Sequence, residues 1–287
     1  MDFPWVPRRA LRTWLAGLGT LAVALGLTAA ARAQSGAKRP EPTLVVPLAQ
    51  IAPEFRENVA EVIREHTFHR QGAAETFPCN SKIYLSLLNE PALTLALWKD
   101  LSASPVRLQQ VGPNRYQGTD GNGATATWEF VYRSPKVHVL LSDLEYISPR
   151  GNARLDARIV LIVHSGYYRE VNGESWVQHD VEAYVKVDSK GLKMVAKTFR
   201  PLIEKLLEDQ VKEAGWFVSL MGRLVAAYPN WACDVAVKAP EVNAEARQRF
   251  REVVVQTRRP GAFTGRPALA DNSAAAPAND ASVTQRR

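Results

Sequence analysis

Phe199–Tyr228, FRPLIEKLLEDQVKEAGWFVSLMGRLVAAY, reads as one long amphipathic helix. Apolar residues recur at Phe199, Leu202, Ile203, Leu206, Leu207, Val211, Ala214, Phe217, Val218, Met221, Leu224, Val225 and Tyr228. Those steps of three and four are the period of a helical face. Charged residues from Arg200 to Glu213 fall between them, whereas Ala214–Ala227 carries only Arg223, so the second half is expected to be the more deeply covered. Thr198 can cap the start, Pro201 suits the first turn and Pro229 ends the run. At about 1.5 Å per residue the rod is about 45 Å long.

Upstream the period changes to two. Val106–Val111, Arg115–Thr119, Thr125–Arg133, Val137–Ile147, Ala153–His164 and Ser175–Val187 read as strands. Short turns such as Gly112-Pro113-Asn114, Ser134-Pro135 and Val171-Asn172-Gly173 separate them, the pattern of an antiparallel meander. Asp120-Gly121-Asn122-Gly123 joins strand to strand, which makes it a hairpin turn and not a phosphate loop. Before the meander lie a helix at Glu54–Glu65, a strand at Thr67–Phe77 with weak alternation around Gly72, and two short helices. Asn80 caps the first of these, Ser81–Leu88, and Pro91 opens the second, to Asp100; together they form a V.

The strand faces set the architecture. Val177, His179, Val181, Ala183, Val185 and Val187 share one side of the last strand and must face the helix. Trp128, Phe130 and Tyr132 share a face, opposite Thr127, Glu129, Val131 and Arg133; Leu155, Ala157, Ile159, Leu161 and Val163 share another. This is more inward apolar surface than one helix covers flatly. The expectation is an α+β fold, a curved antiparallel sheet of six to seven strands wrapped around the long C-terminal helix. Such a grip either packs solid or leaves an elongated apolar cavity.

The ends read differently. Arg8, Arg9 and Arg12 precede an apolar run from Trp14 to Ala31 and a small-x-small site at Ala31-Arg32-Ala33, so residues 1–33 are expected to be a secretory signal peptide. The protein is then exported, periplasmic or secreted. Residues 34–66 form an N-terminal extension with a short helix, 67–233 the main domain, 234–257 a C-terminal extension, and 258–287 an Ala/Pro-rich tail expected to be disordered. The net charge of +7 belongs mostly to the two ends, leaving about +1 for the rest, so a nucleic-acid partner is not expected.

Candidate chemistry is sparse. Cys79 and Cys233 are the two cysteines; export permits a disulfide, and two buried free thiols are the other reading. His179 lies on the valine face, where it needs a partner, and it could orient a ligand carbonyl, act as a base or serve as a core histidine. His138, His164 and His179 lie on predicted neighbouring strands, but alternation puts His164 on the face opposite Leu155–Val163, which argues against a metal site. No cofactor is expected, and no G-x-S-x-G elbow is present.

The order strand, two short helices, six strands, long helix resembles the helix-grip fold of the START-like superfamily, also called SRPBCC. The resemblance covers about Thr67 to Tyr228 and rests on Phe77-Pro78 running into Ser81–Leu88, on Arg115-Tyr116 and Trp128-Glu129-Phe130, and on Phe199-Arg200-Pro201-Leu202. It implies a hydrophobic or amphipathic small molecule, such as a lipid, held between sheet and helix, with transient membrane contact. The walls of that cavity would be Trp128, Phe130, Tyr132, Ile159, Leu161, His179, Val181 and Ala183, with Phe199, Ile203 and Leu206 from the helix. Some members are cyclases or dehydratases, so a small enzyme using His179 is the alternative, and a non-catalytic envelope or interaction protein with a filled core is the third. In the family the V cradles the far end of the long helix, which implies a Cys79–Cys233 disulfide.

Overall fold

The period-two stretches fold as the strands of one sheet. The structure is a computed structural model and describes residues 46–121, 123–147, 154–188, 216–258 and 261–267. Within them an open eight-stranded antiparallel sheet carries six helices, an α+β fold. In chain order these are α1 (Pro53–Arg64), β1 (Phe68–Gln71), β2 (Glu75–Pro78), α2 (Ser81–Asn89), α3 (Pro91–Leu101), β3 (Arg107–Gln110), β4 (Arg115–Thr119), β5 (Ala124–Arg133), β6 (Val137–Ile147), β7 (Arg154–Arg169), β8 (Ser175–Val187), α4 (216–227), α5 (Pro229–Lys238) and α6 (Ala244–Gln256). The spatial order is β1-β8-β7-β6-β5-β4-β3, with β2 also paired to β8.

The expected first strand is divided. β1 pairs with residues 182–185 of β8, and β2 with residues 176–179. Gly72 bridges the gap through its N–H to the Val181 carbonyl at 2.8 Å. The fifth strand of the meander is longer than its alternation indicated, because β7 runs on to Arg169 against β8. At the β4–β5 turn Gly123 has φ +108°, and a Cβ there would stand 2.1 Å from the Ile147 carbonyl oxygen, so a glycine is required.

The sheet has two covered faces. On the outer face α1 lays Val59 and Val62 against Val131, Val139, Val160 and Ile162. Glu61 ties this layer down: both its oxygens accept from Arg158 at 3.0 and 3.2 Å, and it also accepts from Lys186. The inner face carries the valine side of β8, buried throughout from Val177 to Val187. The V of α2 and α3 sits over one end of it. Asn80 Oδ1 caps α2 by accepting from the Lys82 N–H at 2.9 Å, as expected.

The C-terminal part adds to the same core. Residues 199–215, and with them Phe199, Ile203 and Leu206 of the expected cavity wall, lie outside the described residues. From 216 to 227 the helix is present, and it breaks at Tyr228, where Pro229 at once starts α5. Trp231, Ala232, Ala236, Phe250 and Val254 of α5 and α6 join the cluster that holds Tyr84, Leu93, Trp98 and Val225. Trp231 Nε1 donates to Asp100 Oδ2 at 2.8 Å, and Arg266 Nε meets that same oxygen at 2.9 Å.

The expected disulfide is absent: no S–S bond joins Cys79 and Cys233. Cys79 faces α4, where Gly222 leaves room for it; a Cβ at 222 would be 3.0 Å from its Sγ. The backbone of α4 is thus seated directly against the Cys79 side chain. Cys233 lies past the Pro229 break in α5, and the charges around it are Asp234, Arg251 and Arg258.

Candidate functional site

Pairing across the inner face places side chains in rows. One row runs Val185, Ile159, Ser142, Trp128, Tyr116, and the next Ala183, Leu161, Leu140, Phe130. A third brings together Val181, Val163, His138 and Arg133. Rows nearer either end are closed. Ala126, Leu144, Ala157 and Val187 form one buried cluster, and Phe77, Tyr84, Leu87 and Val177 belong to another. In the two middle rows Trp128, Leu140, Ile159 and Leu161 are only partly covered. The inner face thus holds an apolar patch, incompletely covered, between two packed ends.

Of the wall residues named from sequence, Trp128, Ile159 and Leu161 belong to this patch, with Phe130, Val181 and Ala183 buried beside it. Tyr132 does not. A bulge at Val131 lets Phe130 pair with Leu140 and Tyr132 with Val139, so both Val131 and Tyr132 join the outer core under α1. The Tyr132 hydroxyl donates to Gln50 there, at 2.5 Å. The expected shared face of Trp128, Phe130 and Tyr132 is corrected accordingly: one extra residue reverses the alternation beyond it.

The same bulge turns Arg133 inward. Its guanidinium carbon stands 3.8 Å from the centre of the Phe130 ring. Nε and Nη2 are buried and meet no acceptor among the described residues. Opposite it, His138 is 1% exposed, with Nε2 3.1 Å from Asn89 Oδ1 at the apex of the V and Nδ1 unpartnered among the described residues. Burial, and then the charge of Arg133, hold the His138 imidazole down to about 4, so it is neutral at pH 7. The Tyr116 phenol is pushed up, first by burial and then by the Glu90 carboxylate, with Arg133 opposing. Ser142 Oγ, in the row of Trp128, is a further buried atom without a partner among the described residues. Arg133, Ser142 and Leu140 were missed as site residues. The bulge that places Arg133 inside has no glycine or proline to announce it.

His179 lies away from the patch, in the row of Ser165. It is 1% exposed; its Nδ1 is 3.2 Å from the Tyr84 hydroxyl, which in turn meets Ser165 Oγ at 2.8 Å. Burial pushes the Tyr84 phenol up. This chain of bonds joins α2 to β7 and β8.

On the outer face Glu182 is buried and meets His69 Nε2 and the Tyr184 hydroxyl, each at 2.7 Å. Asp180 and His164 lie beside it, and burial raises the Asp180 carboxyl. His164 is therefore on the face opposite His138 and His179. Among the described residues no group of three or more His, Cys, Asp or Glu side chains could hold a metal ion.

No family model and no curated protein matches this chain. Solved structures do. A START superfamily protein from Mycobacterium smegmatis is 9% identical at a TM-score of 0.31, over 54% of this chain and 97% of that one. The Zhui aromatase/cyclase from Streptomyces sp. R1128 is 10% identical at a TM-score of 0.29, over 55% and 94%. A conserved protein from Geobacillus kaustophilus is 13% identical at 0.36, over 53% and 96%.

Proposed function

We propose that this protein binds a hydrophobic or amphipathic small molecule against the inner face of its sheet, at Trp128, Leu140, Ile159 and Leu161. One observation carries the reading: these four apolar side chains stay partly uncovered in the middle of a face whose two ends are packed. Covering such surface is favourable by about 25 cal/mol per Å² before the costs of binding. The aromatic plane of Trp128 and the branched Ile159 and Leu161 offer a broad wall without directional demands, which suits a lipid-like body. The basic, apolar and small-residue pattern of residues 1–33 adds export to the proposal.

The test is titration with N-phenyl-1-naphthylamine, a neutral apolar fluorophore. Saturable one-site enhancement is expected, and it should be lost in Leu161→Trp, which fills the patch. No saturable binding, or binding indifferent to Leu161→Trp, would overturn the reading.

A further inference from the structure

Arg133 is partly exposed and hydrogen-bonds Tyr116, yet two of its guanidinium nitrogens are closed to solvent with no carboxylate against them among the described residues, and that needs an explanation. Removing a charge from water is costly unless an opposite charge or full hydrogen bonding compensates. For Arg133, Phe130 supplies a ring face, but Nε and Nη2 are met by no acceptor among the described residues. These two nitrogens form one edge of the guanidinium, the spacing that takes both oxygens of a carboxylate. The head leans back from the His138 row over Phe130, toward the patch, and its charge is felt at Tyr116 in the row of Trp128. The unmet donors and the partly covered apolar side chains thus adjoin.

Resting on the binding reading above, we infer that the molecule bound is an acid: its carboxylate takes the Nε–Nη2 edge of Arg133 while its apolar body covers Trp128, Leu140, Ile159 and Leu161. A single positive charge matches a carboxylate better than a phosphate monoester, which carries about −1.5 to −2. Both nitrogens are closed to solvent, so entry of the head displaces neighbouring side chains. Leu140 pairs with Phe130, the ring beneath the guanidinium, and is itself only partly covered, so it is the side chain that has to give way. The carboxylate would also offset the positive charge facing His138, whose Nδ1 then takes a proton more readily.

Decanoate, decanol and decyl phosphate, displacing N-phenyl-1-naphthylamine, separate the alternatives. Decanoate is expected to bind at least about tenfold more tightly than decanol, and Arg133→Met should bring it to the level of decanol while leaving decanol unchanged. A histidine NMR titration of the unaltered protein gives a readout that needs no variant: decanoate should raise the His138 midpoint and decanol should not. Equal affinity for acid and alcohol would overturn the inference and leave the apolar site standing. Tighter binding of decyl phosphate than of decanoate would overturn the carboxylate assignment. Failure of all three to bind would overturn the inference together with the reading beneath it.

Discussion

Arg158 and Arg133 lie on opposite faces of one sheet, two strands apart. Arg158 on the outer face reaches Glu61 of α1 with two parallel bonds, and Lys186 completes the set. Arg133 on the inner face has a ring beneath it and two nitrogens unmet among the described residues. The surroundings differ in the same sense. Under α1 the apolar residues Val139, Val160 and Ile162 are fully buried, whereas Leu140, Ile159 and Leu161 beside them in sequence are not. Under α1 the outer face is packed and its arginine is paired. The other has both apolar surface and charge left over, which is what a binding surface holds in reserve.

The largest effect that sharpens this contrast is a matched pair of truncations. Ile162→Ala should cost about 2–4 kcal/mol in urea unfolding, because it opens a cavity in a closed core. Leu140→Ala, one strand away, should cost about 1 kcal/mol or less, because part of its surface is already uncovered. Equal losses would erase the distinction between the faces.

Next comes acid. His138 is buried neutral, facing Arg133 from β5 and Asn89 from α2, with a midpoint held down to about 4. A group whose folded midpoint lies below its unfolded one stabilises above the unfolded value, about 6.5, and loses that contribution as pH falls through the folded value. Stability should therefore decline from about pH 6.5 to about pH 4, by an upper limit of about 3 kcal/mol. Arg133→Met removes the smaller cause of the shift, so it should narrow the window from its acid end. An unchanged profile in that variant would break the coupling between the two side chains.

The smallest effect belongs to the outer face. Hydrogen bonds from Lys186 and then Arg158 hold the Glu61 carboxyl below its ordinary range. Glu61→Gln should weaken the docking of α1 slightly, seen as faster amide exchange at Val59 and Val62, and added salt should shrink the difference from the parent. A loss as large as that of Ile162→Ala would mean that charge and not packing holds this layer.

Much of the architecture was legible because it repeats. The alternation of β8 named its buried side correctly from Val177 to Val187, and the cap at Asn80 and the break at Pro229 fell where side-chain chemistry requires them. The candidate site was legible only in part. Trp128, Ile159 and Leu161 follow from period two, but a single extra residue at Val131 exchanges Tyr132 for Arg133, and nothing local marks it. The bulge is set by how β5 must pair with β6, a tertiary fact. The pairing expected of Cys79 and Cys233 failed for a similar reason. The order of elements brings α4 to Cys79, but the close seating at Gly222, and the new helix that Pro229 starts and that holds Cys233, depend on local packing that an order of elements does not contain. In α5 and α6, small residues such as Ala232, Ala236 and Ala246 pack beside Trp231, Phe250 and Val254, and a periodicity built on large side chains passes over them.

The divided strand at Gly72 also bears on self-association. A sheet with free margins can template other chains, and the hazard grows with the length of straight, unpaired backbone on offer. Here one margin consists of β1 and β2, each of four residues and offset by the interruption at 72–74, and the other is β3, also of four residues. Among the described residues, each margin offers only a short run of straight backbone to a foreign strand. The interruption that spoiled a clean alternation in the sequence thus works as a built-in guard against fibrous stacking.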